Sequence, residues 1–104
     1  MSSVSIAFAL DHAHRTADRL FPFARPVVKL QEEARELQAA LAAGKEGAIL
    51  EEVADCLICL AHVLDVDRMQ QIADMIVHKC GRLERRTWVF DEDTQTYHHV
   101  KEAK

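Results

Sequence analysis

Apolar residues recur along this chain at steps of three and four, the spacing of helices that bury one face. The first such stretch runs from about Val4 to Leu20, with Ile6, Leu10, Ala13, Ala17 and Leu20 on one stripe and Ser2 or Ser3 as its cap. Phe21-Pro22-Phe23-Ala24-Arg25-Pro26 then breaks the chain twice. Pro26 suits the first turn of a second helix, whose stripe is Leu30, Ala34, Leu37 and Leu41. That helix should end near Ala43, because Gly44 is a good C-terminal residue and Gly44-Lys45-Glu46-Gly47 reads as a turn. A third helix is expected from about Ala48 to Leu64. A fourth, capped by Asp65 or Asp67, continues to about Thr87 with Met69, Ile72, Ile76, Cys80 and Leu83 as its stripe. From Val89 the pattern dissolves into Asp, Thr, Gln and His, consistent with a short hairpin or extended arm around Asp93-Thr94-Gln95. The pattern predicts an all-α bundle of about four helices, one domain over 1–104 with 89–104 as a C-terminal tail.

The third helix departs from the amphipathic rule. Its apolar residues, from Ile49 and Leu50 through Leu57, Ile58 and Leu60 to Leu64, cover most of its circumference, which is the signature of a buried helix. Three further helices of so short a chain can hardly enclose it, so a second subunit is expected to pack on it. At 104 residues the chain suffices for one domain, and its three Gly and two Pro favour helices over strands. A formal net charge of −4 with no basic block speaks against binding a nucleic-acid polymer. No apolar run reaches the roughly 18 residues of a membrane span, and the N-terminus lacks the basic region and apolar core of a signal peptide. Cys56 and Cys59 form a C-x-x-C with no second pair to complete a zinc site, and Cys80 stands alone. Reduced thiols packed in an apolar helix suit a cytoplasmic protein.

Against that apolar background the few polar residues of the third helix stand out. At about 100° per residue, Glu51, Asp55 and His62 fall within roughly 40° of one another, opposite Val53, Leu57, Leu60 and Leu64, with Glu52 further round. Carboxylates in a mostly apolar helix are costly unless they are paired or hold a metal, and Glu52 and Asp55, three residues apart, can share one cation. The second helix offers a matching pair, Glu33 and Glu36, beside its apolar stripe, with Lys29 on the same side. If the two helices pack antiparallel across the short turn, the four carboxylates surround one oxygen-rich cavity that suits Mg2+, with Mn2+ as the alternative. A Glu-rich helix face alone is usually just solvated, so Glu33 and Glu36 gain weight only from lying one turn away from Glu52 and Asp55.

Glu33-Ala-Arg-Glu36 and Glu52-Val-Ala-Asp55, with fifteen residues between them, resemble the E-x-x-E … E-x-x-D signature of the all-α MazG-like nucleoside triphosphate pyrophosphohydrolases. Lys79 and the run Arg82-Leu83-Glu84-Arg85-Arg86-Thr87-Trp88 resemble the basic segment of that family, and the likeness spans roughly Val28 to Phe90. The resemblance implies hydrolysis of a (d)NTP to a (d)NMP and pyrophosphate, with Mg2+ on Glu33, Glu36, Glu52 and Asp55 and with a homodimer or dimer of dimers. It also implies phosphate contacts from Lys79 and Arg86, with Arg82 and Arg85 as lesser candidates, and Lys29 is a further candidate from its place beside the first carboxylate pair. Glu36, Glu52 and Asp55 are the candidate catalytic carboxylates; the sequence does not assign the general base among the four, and Glu36 is a fair guess. Many small members carry an Asn where this chain has Leu83, which leaves the choice of nucleotide open. The nearest rival is a related pyrophosphohydrolase acting on another nucleotide, such as phosphoribosyl-ATP. The other is a catalytically silent helical dimer that binds nucleotide or protein. Arg and Lys near a helix C-terminus also serve the helix dipole without any ligand, and Trp88 reads as a packing residue or interface anchor. His12, His14, His62, His98 and His99 read as surface or satisfied-core histidines, with His62 a candidate neighbour of Asp55.

Overall fold

Ser5 begins the first helix: its extended backbone and its hydroxyl, which accepts a hydrogen bond from the Phe8 amide at 3.1 Å, satisfy an otherwise orphaned donor of the first turn. The computed structural model describes residues 3–64 and 66–101. Helix α1 spans Ile6–Leu20, so it starts two residues later than the hydrophobic pattern suggests, because the capping hydroxyl and not the first apolar side chain sets the start. Ser3 precedes the cap, and Ser2 lies outside the described residues.

Helix α2 spans Pro26–Ala43, with Pro26 at its start and Gly44 closing it. Gly44 has φ 67°, the left-handed conformation that costs glycine nothing, and its amide donates to Ala40 O and Leu41 O. Helix α3 spans Glu46–Val63 and begins immediately afterwards, so Gly47, expected in the turn, lies in the first turn of α3. With only Gly44 and Lys45 between them, α2 and α3 form a tight helical hairpin, and α3 packs on α1 as well. A short 3-10 turn, Val66–Arg68, contains Asp67 and leads into α4, Met69–Glu84; Asp65 lies outside the described residues.

The chain divides into two compact units, Met1–Met69 and Gln70–Lys104. In the second, α4 stops at Glu84, before the expected Thr87, because the following residues turn into a β-hairpin. Strands β1, Trp88–Asp91, and β2, Thr96–His99, pair antiparallel with Trp88 opposite His99 and Phe90 opposite Tyr97. The expected hairpin around Asp93-Thr94-Gln95 is therefore present and begins one residue earlier, at Trp88. The Asp91 carboxylate accepts from the Asp93 and Thr94 amides and so builds the turn. Trp88 donates its indole N–H to Leu83 O at 2.9 Å and ties the hairpin to the end of α4, a packing role. The fold is thus mainly helical, with four α-helices and one small hairpin among the described residues. No helix among the described residues is long and apolar enough to cross a membrane.

Within the single chain the third helix is not enclosed, as expected of three further helices in so short a chain. Among the described residues only Ala17, Ala40, Ala61 and Glu33 are buried, and Leu50, Val53, Leu57, Ile58, Leu60 and Val63 of α3 are exposed. The half-buried side of α3 is instead its more polar one, with Glu52, Asp55, Cys56, Cys59 and His62. Likewise α2 turns Leu30, Glu33, Leu37 and Ala40 inward and leaves Ala34 and Leu41 exposed, so its packed stripe is rotated onto Glu33.

Candidate metal centre

Glu33 and Glu36 stand one helical turn apart on α2, and Glu52 stands on α3 across the hairpin. Each offers a carboxylate oxygen such that the three oxygens lie within 4.8 Å of one another. Glu33 is only 7% exposed. Its Oε1 meets Lys29 Nζ at 3.4 Å, while Oε2 of Glu33 and Oε2 of Glu52 are buried without a hydrogen-bond partner. Orphaned buried carboxylate oxygens are expensive, and oxygens that converge from two helices are what a small hard cation requires. The donor set is all oxygen and anionic, so the three glutamates could hold a hard metal ion.

The charges crowded here alter proton affinity in a consistent direction. A hydrogen bond to the Glu33 carboxylate, and then that group's charge, hold the Glu36 carboxyl above the usual range. Burial pushes Glu52 up, followed by the charge of Glu36. Burial also raises the Cys56 and Cys59 thiols, reinforced in both by Glu33. Hydrogen bonds to Glu32 and then Glu33 raise the affinity of Lys29 for its proton and keep it cationic. Burial leads the shifts at Glu52, Cys56 and Cys59, and neighbouring carboxylates lead those at Glu36 and Lys29.

Asp55, one turn beyond Glu52 on α3, does not belong to the group of three oxygens. It lines an adjoining cavity of about 370 Å3 together with Phe21, Lys29, Glu33, Cys59 and His62. Its charge still contributes to raising Glu52. Glu51, which shares its helix face in the sequence pattern, is exposed. The cavity wall supplied by Phe21 and Ala17 comes from α1 and the turn after it, the Phe21–Phe23 segment whose sequence allows it a share in a base pocket. His14 is a hydrogen-bonded, part-buried histidine; its Nδ1 donates to Ala61 O at 2.9 Å and ties α1 to α3.

Lys79, Arg82 and Arg86 belong to the second unit. Lys79 and Arg82 are exposed on α4, and Arg86 is half-buried between α4 and β1. Arg85 is exposed beside Gly81. No protein-family model, curated protein or solved structure matches the chain, so its function is argued from the carboxylate geometry and the cavity beside it.

Proposed function

We propose that this chain is a divalent-metal-dependent nucleoside triphosphate pyrophosphohydrolase that converts a (d)NTP and water to a (d)NMP and pyrophosphate, a nucleotide-pool house-cleaning activity. The observation that carries this reading is the convergence of Glu33, Glu36 and Glu52 with two orphaned buried oxygens at the edge of a cavity. The order and spacing of the carboxylates resemble the MazG-like signature and supply the reaction class. Glu33, Glu36 and Glu52 would hold Mg2+, with Mn2+ as the alternative and Asp55 as the fourth carboxylate beside them. When bound, the cation supplies charge neutralisation at the phosphates and Lewis acidity.

The chain's own groups account for the rest. The cavity of about 370 Å3 is roomy enough for a nucleoside, with Phe21 and Ile58 as apolar surfaces and Asp55 and His62 as polar contacts. Lys29, exposed at the wall and cationic, faces phosphate charge. Water attacks the α-phosphorus as the bond to the bridging oxygen breaks, and that oxygen departs with pyrophosphate. Glu36, exposed at the edge of the group, takes the water's proton. Lys79, Arg82 and Arg86 are the cations that the resemblance assigns to phosphate oxygens. Such an enzyme belongs in the cytoplasm, where triphosphates and free thiols coexist.

The test is a panel of canonical and modified nucleotides incubated with Mg2+ and assayed separately for pyrophosphate and phosphate. Pyrophosphate, lost in Glu52→Ala and Asp55→Ala variants that keep their helical circular dichroism, is the expected result. Phosphate instead would assign a different hydrolase, and neither product would favour a nucleotide- or protein-binding module.

A further inference from the structure

Asp55 is the carboxylate that the group of three leaves over. It lies outside the converging oxygens of Glu33, Glu36 and Glu52 and lines the cavity beside them. The residue is half-buried, and no hydrogen bond or ion pair reaches its carboxylate among the described residues. A carboxylate set into a largely apolar wall is under-satisfied until donors reach it, and when ionised it can only accept. The complementary group on a ligand is therefore an O–H or an N–H, and a phosphate oxygen is repelled there.

We infer that Asp55 holds the 2′- and 3′-hydroxyls of the sugar and makes the chain select ribonucleotides over 2′-deoxyribonucleotides, an inference that rests on the nucleotide reading above. Position along α3 chooses the sugar among the donors of a nucleotide. At about 1.5 Å per residue, Asp55 stands roughly 4.5 Å along the helix from Glu52, and His62 roughly 10.5 Å beyond Asp55. Asp55, Cys59 and His62 follow one another on one helix face and all line the cavity, so it runs along α3 away from the carboxylate group. A nucleotide with its α-phosphate at the carboxylate group has its sugar next along and its base beyond. The sugar then meets Asp55, and the base reaches the apolar stretch beside Phe21 and Ile58, towards His62. The two oxygens of one carboxylate can each accept from one of the two neighbouring hydroxyls of ribose, whereas 2′-deoxyribose offers only one of them. The loss of one hydrogen bond to a charged group weakens binding on the order of tenfold to a hundredfold.

Adenosine, guanosine, cytidine and uridine and their 2′-deoxy counterparts, titrated into the chain in EDTA and followed by NMR chemical shifts, test the sugar contact without metal or turnover. The ribonucleoside that binds best should bind at least about tenfold more tightly than its 2′-deoxy form. Asp55→Ala should bring the two to the same affinity while the thermal stabilisation by Mg2+ persists. Equal binding of the two sugars by the wild type, or no binding of any nucleoside, overturns the inference. So does an Asp55→Ala variant that keeps the sugar preference, or one that no longer responds to Mg2+, which would make Asp55 a metal ligand. A preference for cytidine over uridine that Asp55→Ala removes, with none between sugars, overturns it as well and turns the carboxylate to the base. Sugar-selective binding through Asp55 without pyrophosphate release from any triphosphate would strike the hydrolase reading alone. Pyrophosphate release with equal kcat/KM for each ribonucleotide and its 2′-deoxy form would strike this inference alone.

Discussion

Glu33→Gln separates a metal ligand from a merely structural carboxylate, because the two roles predict opposite signs. In the metal-free chain Glu33 Oε2 is a buried acceptor without a donor, a situation that costs about 1–3 kcal/mol. Gln keeps the shape, removes one negative charge from three converging carboxylates and brings an N–H2 that can donate to Glu36 or Glu52. The substitution breaks the 3.4 Å ion pair with Lys29, whose side chain is 54% exposed, so water already screens it. The balance favours the variant by about 1 kcal/mol, which for a domain of this size raises Tm by roughly 4–8 °C in EDTA. With Mg2+ at a hundred times its Kd the order should reverse. The wild type then gains about 2.7 kcal/mol from binding, and the variant gains little. Thermal unfolding followed by circular dichroism, in EDTA and again in excess Mg2+, measures both arms, and pyrophosphate release should fall at least a hundredfold in the variant. A variant less stable than wild type in EDTA, with an unaltered response to Mg2+, would refute the metal assignment and leave Glu33 as the partner of Lys29.

Three further outcomes are expected. Ala61→Leu, at a position 0% exposed where α3 packs on α1, should cost about 1–3 kcal/mol by overpacking, and an unchanged Tm would show that the helices separate freely there. Arg86→Ala should raise KM for triphosphates roughly tenfold by removing one charge-assisted hydrogen bond, and an unchanged KM removes Arg86 from the site. The metal-free protein should lose stability as pH rises. Glu36 and Glu52 have raised folded-state values, so their contribution is complete below the ordinary carboxylate pKa of about 4.3 and is lost as pH rises through the raised values. Melting curves in EDTA across that range check the sign, and a Tm that climbs with pH contradicts it.

Helix existence was legible because it depends on local signals. Pro26 and Gly44 act through backbone conformations that need no distant partner, and both bound α2 as expected. The start of α1 and the end of α4 were less legible. A capping hydroxyl at Ser5 and the Trp88 bond to Leu83 O decide them, and several serines or turn residues could have served. Site membership divides in the same way. The i, i+3 spacing places Glu33 beside Glu36 on one helix whatever the tertiary structure, and the two-residue link makes α3 return alongside α2.

By itself, the sequence determined a mainly helical chain with two carboxylate pairs one tight turn apart. The tertiary structure decided which oxygens converge, because helix rotation is set by packing and not by spacing. It turned Glu33 into the interface and left Asp55 outside the group of three, on the cavity wall. It also decided which side of α3 faces outward. A helix apolar nearly all round has no preferred inner face in sequence, and only the packing of α1 and α2 against its more polar side left the leucine stripe exposed.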